Sequence, residues 1–149
     1  MKFYVEDHLS KKEISLFRKI KGAVENMDNP YLGVDRDGKE IILSCHILTR
    51  AVHNLFLLKF EDGFYAKLYQ HSWLRTKEGS VIDVYPVACM GGPIMIAGGE
   101  ASPQKHLYVE APIPVDFMSQ SFCHAVTLVT EELWEAFKRY RAERAVSLV

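Results

Sequence analysis

Cys45, His71 and Asp83 are the residues of this chain whose types and surroundings best suit nucleophilic acyl chemistry. Cys45 follows Ser44 at the head of an apolar run from Ile47 to Phe56 that reads as a buried helix. A thiol attacks a carbonyl only as thiolate, and both a helix N-terminus and a nearby imidazole favour that form. His71 sits in Gln70-His71-Ser72-Trp73-Leu74 and Asp83 in Val81-Ile82-Asp83-Val84-Tyr85, two β-type segments separated by Lys77-Glu78-Gly79-Ser80. A carboxylate beside the imidazole would fix its tautomer and support its charge. The backbone amide of Cys45, unpaired in a first helical turn, could face a developing oxyanion.

Those roles require that His71 and Asp83 share one face of a hairpin. If they lie directly opposite, the turn is centred on Lys77 and spans Arg75 to Gly79, Trp73 pairs with Val81, and Tyr69 with Tyr85. Ser72 and Leu74 then fall on the other face with Ile82 and Val84. A two-residue turn at Glu78-Gly79 would shift the pairing by an odd number and send Asp83 to the reverse side. The longer turn is the expectation.

Further elements follow from periodicity and punctuation. Ser10-Lys11-Lys12-Glu13 has the capping-box pattern, with Ile14, Phe17, Ile20 and Val24 at helical spacing, which predicts a helix over Lys11–Met27 that ends at Asp28-Asn29-Pro30. The cysteine helix is expected over Ser44–Leu58. Strands are expected at Leu57–Phe60, Phe64–Gln70, Ser72–Thr76 and Val81–Val87, with Glu61-Asp62-Gly63 as a turn. Spacing this short implies an antiparallel meander. Cys89–Pro103, which contains Gly91-Gly92-Pro93 and Gly98-Gly99, reads as irregular or hairpin-like, and His106–Val109 as a further strand. Two closing helices, Val115–Leu128 and Glu131–Val146 with Thr130 as cap, complete an α+β arrangement.

A chain of 149 residues is expected to form one domain. Its formal net charge of -1, with acids and bases interspersed, argues against broad nucleic-acid binding. No apolar run reaches the length of a membrane span, and acidic residues stand near the N-terminus where a signal peptide needs apolar ones. Cys45, Cys89 and Cys123 form an odd set without CxxC spacing, which fits a reducing cytoplasm.

The segments around the three reactive residues resemble the Cys-His-Asp core of the transglutaminase-like branch of the papain-like cysteine hydrolases. In that branch a histidine commonly opens a His-Ala-Trp-type strand and the aspartate follows on the next strand; here the strings are His71-Ser72-Trp73 and Ile82-Asp83-Val84, with Ser72 in place of alanine. The compact lasso-peptide leader peptidases are similar in their short His-to-Asp spacing. The resemblance covers Lys39–Pro86 and implies a Cys-headed helix packed on an antiparallel sheet. It also implies Cys45 as nucleophile, His71 as general base and acid, and Asp83 as orienting carboxylate. The expected activity is a peptidase- or amidase-type hydrolase, or an acyltransferase, acting through a thioester.

Gln70, Tyr31 and Asn29 are candidates for a second oxyanion donor; Trp73 is a further substrate-side candidate, although both Trp73 and Tyr85 read first as core or cleft wall rather than substrate platforms. The contrasting class is a binding or regulatory module without turnover. A zinc site built from His46 and His53, with Cys45, His71, Cys123 or His124, lacks any tight ligand pair, so no metal or other cofactor is expected. His8, His106 and His124 read as surface or structural residues. The expected partner is a peptide, amide or ester substrate.

Overall fold

The computed structural model describes residues 2–27, 31–34, 40–85, 93–98 and 106–147. In chain order these form β1 (Lys2–Tyr4), a single 3-10 turn at Glu6–His8, α1 (Lys11–Glu25), β2 (Tyr31–Val34), β3 (Glu40–Ile42) and α2 (Cys45–Phe56). There follow β4 (Lys59–Tyr65), β5 (Tyr69–Arg75), β6 (Val81–Asp83), β7 (Ile94–Ile96), β8 (Tyr108–Glu110) and α3 (Gln120–Ser147). One sheet runs β1-β7-β6-β5-β4-β8; its neighbours are antiparallel except β1, which lies parallel to β7 at the edge. β2 and β3 pair with each other. The expected α+β class, with a Cys-headed helix on an antiparallel sheet and helices at both ends of the chain, is what the structure shows.

The alternation of β5 and β6 divides the core in two. Leu74, Ile82 and Val84 face the helices and join Phe17, Ile20, Leu48, Val52 and Leu133. On the reverse side Tyr65, Trp73, Val81, Ile94, Ile96 and Tyr108 form a second cluster, half of it aromatic.

α1 begins at a complete capping box: Ser10 Oγ accepts from the Glu13 amide and Glu13 Oε1 from the Ser10 amide, both at 3.1 Å. The second Glu13 oxygen accepts from Thr76 Oγ1 at 2.7 Å, which fastens the head of α1 to the β5–β6 turn. α2 starts where Ser44 Oγ accepts from the Ile47 amide at 3.3 Å and ends at Leu57, which is in the left-handed region at φ 59°. It buries Ile47, Leu48, Ala51 and Val52. Each of the larger aliphatic chains contributes about 1.5–3 kcal/mol to packing the thiol-bearing helix in place.

Three expectations are corrected. Glu61, Asp62 and Gly63 lie within β4, and the chain reverses at Ala66 and Lys67, both at positive φ. The charges are accommodated there because Glu61 binds Trp73 and Arg75 while Asp62 binds Arg50. Gly63 is needed because β8 passes so close that a Cβ would lie 2.0 Å from the Val109 carbonyl oxygen. Part of Cys89–Pro103 is a central strand, β7; the rest of that stretch, except Pro93, Ala97 and Gly98, lies outside the described residues. The two closing helices are one. Thr130 sits inside α3 with its hydroxyl bonded to the Val126 carbonyl at 2.7 Å, a local satisfaction that leaves the helix unbroken.

Candidate active site

β5 and β6 pair Leu74 with Ile82 and Arg75 with Val81. Continuing that register sets Asp83 beside Trp73, so His71 is its diagonal neighbour on the same face. The turn is therefore centred on Glu78, one residue later than expected. It closes through Thr76 N–H to Ser80 O at 2.9 Å and passes Gly79 at φ 87°, a conformation that favours glycine. Moving the centre by one residue moves the pairing by two, so the partners change but the faces do not. Trp73–Val81 is corrected to Arg75–Val81, while Asp83 stays with His71.

The diagonal reach is bridged directly. His71 Nε2 bonds Asp83 Oδ2 at 2.8 Å, with both side chains 2% exposed. Asp83 has two further donors: Tyr108 Oη to Oδ2 at 2.7 Å and the Tyr85 amide to Oδ1 at 3.2 Å. A carboxylate this deep needs such a complete set of partners. The His71 ring is enclosed by Tyr65, Trp73 and Tyr108, at centroid distances of 6.2 to 6.3 Å. Gly63, opposite His71 on β4, adds no side chain to that enclosure.

Cys45 reaches the imidazole because β6 stops at Asp83. Beyond that point Thr49 of α2 supplies the bond to β5, donating to the Ser72 carbonyl at 3.1 Å. Tyr85 Oη donates to the Leu43 carbonyl at 3.3 Å, tying the exit of β6 to the entry of α2. The half-buried Cys45 side chain lies within the influence of both the His46 and the His71 imidazoles. Burial alone pushes its thiol up; the hydrogen bonds and charges of His46 and His71 outweigh this and bring it down to about 6. For His71, burial pushes down, but the bonds and charges of Asp83 and Cys45 raise it to about 9. The two shifts describe one thiolate–imidazolium pair. With Nε2 held by Asp83, Nδ1 is the ring nitrogen left for the sulfur.

A second set of polar groups meets the same sulfur. His46 Nδ1 donates to Ser72 Oγ at 2.7 Å, Ser72 donates to Asp62, and Arg50 grips Asp62 with two bonds of 2.9 and 2.7 Å. Bonding to Arg50 and Ser72 outweighs burial and lowers the Asp62 carboxyl. Beside this set a cleft of about 290 Å³ runs along α2, walled by Phe60, Phe117, Phe122 and Val126. A larger hollow of about 870 Å³ between α1 and α3 includes Leu55 and Phe56, at the opposite end of α2 from Cys45. Neither hollow is lined by Cys45, His46, His71 or Asp83; the smaller one adjoins this polar set through Arg50 and Phe117.

Of the other candidates, Trp73 is fully buried and donates its Nε1–H to Glu61 at 2.8 Å, so it supports His71 from within the core. Gln70 is exposed and, by alternation, on the face opposite His71. Asn29 and Cys89 lie outside the described residues, as does the side chain of Tyr31. Cys123 is exposed on α3. Among the described residues no cluster of three or more His, Cys, Asp or Glu is arranged to hold a metal ion, and no helix is long and apolar enough to cross a membrane. Sequence reasoning missed Tyr108, whose phenol is 25 positions from the carboxylate it binds. His46 was weighed only as a metal ligand, although its place beside Cys45 is visible in the chain.

No protein-family model, curated protein or solved structure matches the chain.

Proposed function

We infer that the protein is a thiol-dependent acyl-transfer enzyme of peptidase or amidase type. Cys45 is the nucleophile, His71 its proton acceptor and counter-ion, and Asp83 the carboxylate that orients the ring, as the resemblance to transglutaminase-like cysteine hydrolases implies. The supporting observation is the continuous contact from Asp83 through His71 to the sulfur of Cys45, at a helix N-terminus. His71 takes the thiol proton. The thiolate sulfur adds to a substrate carbonyl, the π pair moves to oxygen, and collapse expels the amine or alcohol, its leaving atom taking a proton from an imidazolium of the site, to leave a thioester. Water or an amine then adds to the thioester, giving a proton back to that imidazole, and the C–S bond breaks, returning the thiolate. With the Ile47 and Leu48 amides taken by Ser44, the Cys45 amide at the head of α2 is the group that would receive the oxyanion. The aromatic cleft lined by Phe60, Phe117 and Phe122, whose Phe117 ring also meets His46, suits an apolar portion of the substrate. A mechanism resting on a free thiolate belongs in a reducing compartment such as the cytoplasm.

The test is alkylation by iodoacetamide against pH, with Cys45 and Cys123 followed separately by peptide mass. Cys45 is expected to react with a midpoint near pH 6, well below the roughly 8.5 of a free thiol, and to lose that advantage in His71→Ala. Equal rates at the two cysteines across the pH range would sink the enzymatic reading and favour a binding module.

A further inference from the structure

Two imidazoles act on one sulfur, that of His71 and that of the residue next to Cys45 in the chain, His46, and the reading above uses only one of them. His71 is 2% exposed and sealed by aromatic rings, with both ring nitrogens engaged by Asp83 and Cys45. His46 is half-buried, with its ring edge-on to that of Phe117 at 5.7 Å between centroids. Its orientation is set by a relay. Ser72 Oγ spends its proton on Asp62, so it accepts from His46 Nδ1–H, and this leaves Nε2 as the nitrogen that can hold or release a proton toward Cys45. Asp62 is held by Arg50, whose Nη1 also donates to the His46 carbonyl at 3.3 Å. A carboxylate–hydroxyl–imidazole relay ending on a reactive sulfur has the same logic as the Asp83–His71 pair, on the wetter side.

We propose that His46 is a second catalytic imidazole of this site, the one that protonates the leaving atom while His71 remains the counter-ion of the thiolate. The assignment rests on the acyl-transfer reading and deepens it. In acylation the Cys45 sulfur–carbon bond forms, and the bond from carbon to the leaving nitrogen or oxygen breaks with its pair. That atom takes the proton from His46 Nε2. In deacylation the now neutral Nε2 takes a proton from water as its oxygen adds to the thioester, and the sulfur departs as thiolate beside the His71 imidazolium. His46 ends protonated again, and one water is consumed per bond broken. The groups facing His46 are Cys45 and Arg50 from α2, Ser72 from β5, Asp62 from β4 and Phe117 from the segment before α3.

Leaving-group dependence separates this role from thiol activation. Single-turnover acetylation of Cys45 is followed by mass with 4-nitrophenyl acetate, whose leaving group needs no proton, and phenyl acetate, whose leaving group gains from one. The ratio of the two rates cancels the thiolate fraction. In His46→Gln both rates should fall, because the thiolate loses one of its two supporting imidazoles, and the phenyl acetate rate is expected to fall about 10²-fold further than the 4-nitrophenyl rate, the scale of a general acid. Ser72→Ala, which frees the ring, should move the ratio the same way by about tenfold or less. His71→Gln should depress both rates and leave the ratio unchanged. An unchanged ratio in His46→Gln, or a ratio that moves in His71→Gln instead, overturns the assignment while leaving the acyl-transfer reading intact. Wild-type Cys45 acetylated by neither ester, or no faster than Cys123, would end both.

Discussion

Adjacent residues of β5 serve two different polar clusters. His71 points to the aromatic face, where Asp83 and Tyr108 complete a set in which no side chain is more than 6% exposed. Ser72 points to the helical face, where Asp62, Arg50 and His46 form a chain that stays partly open to water. Both carboxylates come from strands flanking β5, and both chains end on Cys45. The difference is solvation. In the dry cluster each charge depends on its partner, because an unpaired buried charge is costly; in the wetter one, water replaces much of what a substitution removes. The dry cluster is therefore suited to hold a permanent ion pair, and the wet one to exchange a proton.

Asp83→Asn should break the dry side most severely. Acylation of Cys45 is expected to fall by about 10²–10⁴-fold, with stability lower by about 3–5 kcal/mol in urea denaturation. A change under tenfold would mean that His71 does not need the carboxylate. The pH dependence sharpens the contrast. In wild type the nucleophile appears as pH rises through about 6, so acylation of Cys45 by 4-nitrophenyl acetate should have its acidic limb there, and the His71 counter-ion persists until pH rises through about 9. Without the Asp83 charge the imidazolium is harder to form and supports the thiolate less, so the acidic limb should move upward. An acidic limb left in place would show that Asp83 does not act through His71.

Tyr108→Phe removes one of three donors to the same carboxylate and should cost about 1.5–3 kcal/mol, read from the urea midpoint at unchanged slope. Asp62→Asn on the wet side should cost about 1 kcal/mol. Its effect on phenyl acetate should reach about tenfold at most, and it should leave alkylation nearly unchanged. If Asp62→Asn proved as damaging as Asp83→Asn, the division between a holding side and an exchanging side would fail.

What could be read from the chain alone followed the range of the interactions involved. The cap of α1 and the start of α2 depend on Ser10, Glu13 and Ser44, each acting on an amide three residues away, and both were foreseen. The shared face of His71 and Asp83 was foreseen because strand alternation tolerates an even shift. The centre of the turn was not, since Glu13, more than sixty residues away, anchors Thr76 within it. Glu61 and Asp62 looked like turn residues because their partners Arg50, Trp73 and Arg75 lie 12 to 14 positions distant. Tyr108 and the Ser72 relay were hidden for the same reason: nothing local marks a hydroxyl that binds a carboxylate on another strand.

Arg50 has a wider part than its grip on Asp62. Its guanidinium lies 3.8 Å from the centre of the Phe117 ring and 4.5 Å from that of Phe60, so residues 111–119, which join β8 to α3 without regular structure, are moored to α2 by a planar stacked cation. Lysine would keep the charge and lose both the fork and the stack. Chymotrypsin should then cut after Phe117 in Arg50→Lys about tenfold faster than in the parent, as a local opening costs about 1.4 kcal/mol less. A single side chain of the cysteine helix thus sets how well a distant connection resists proteolysis.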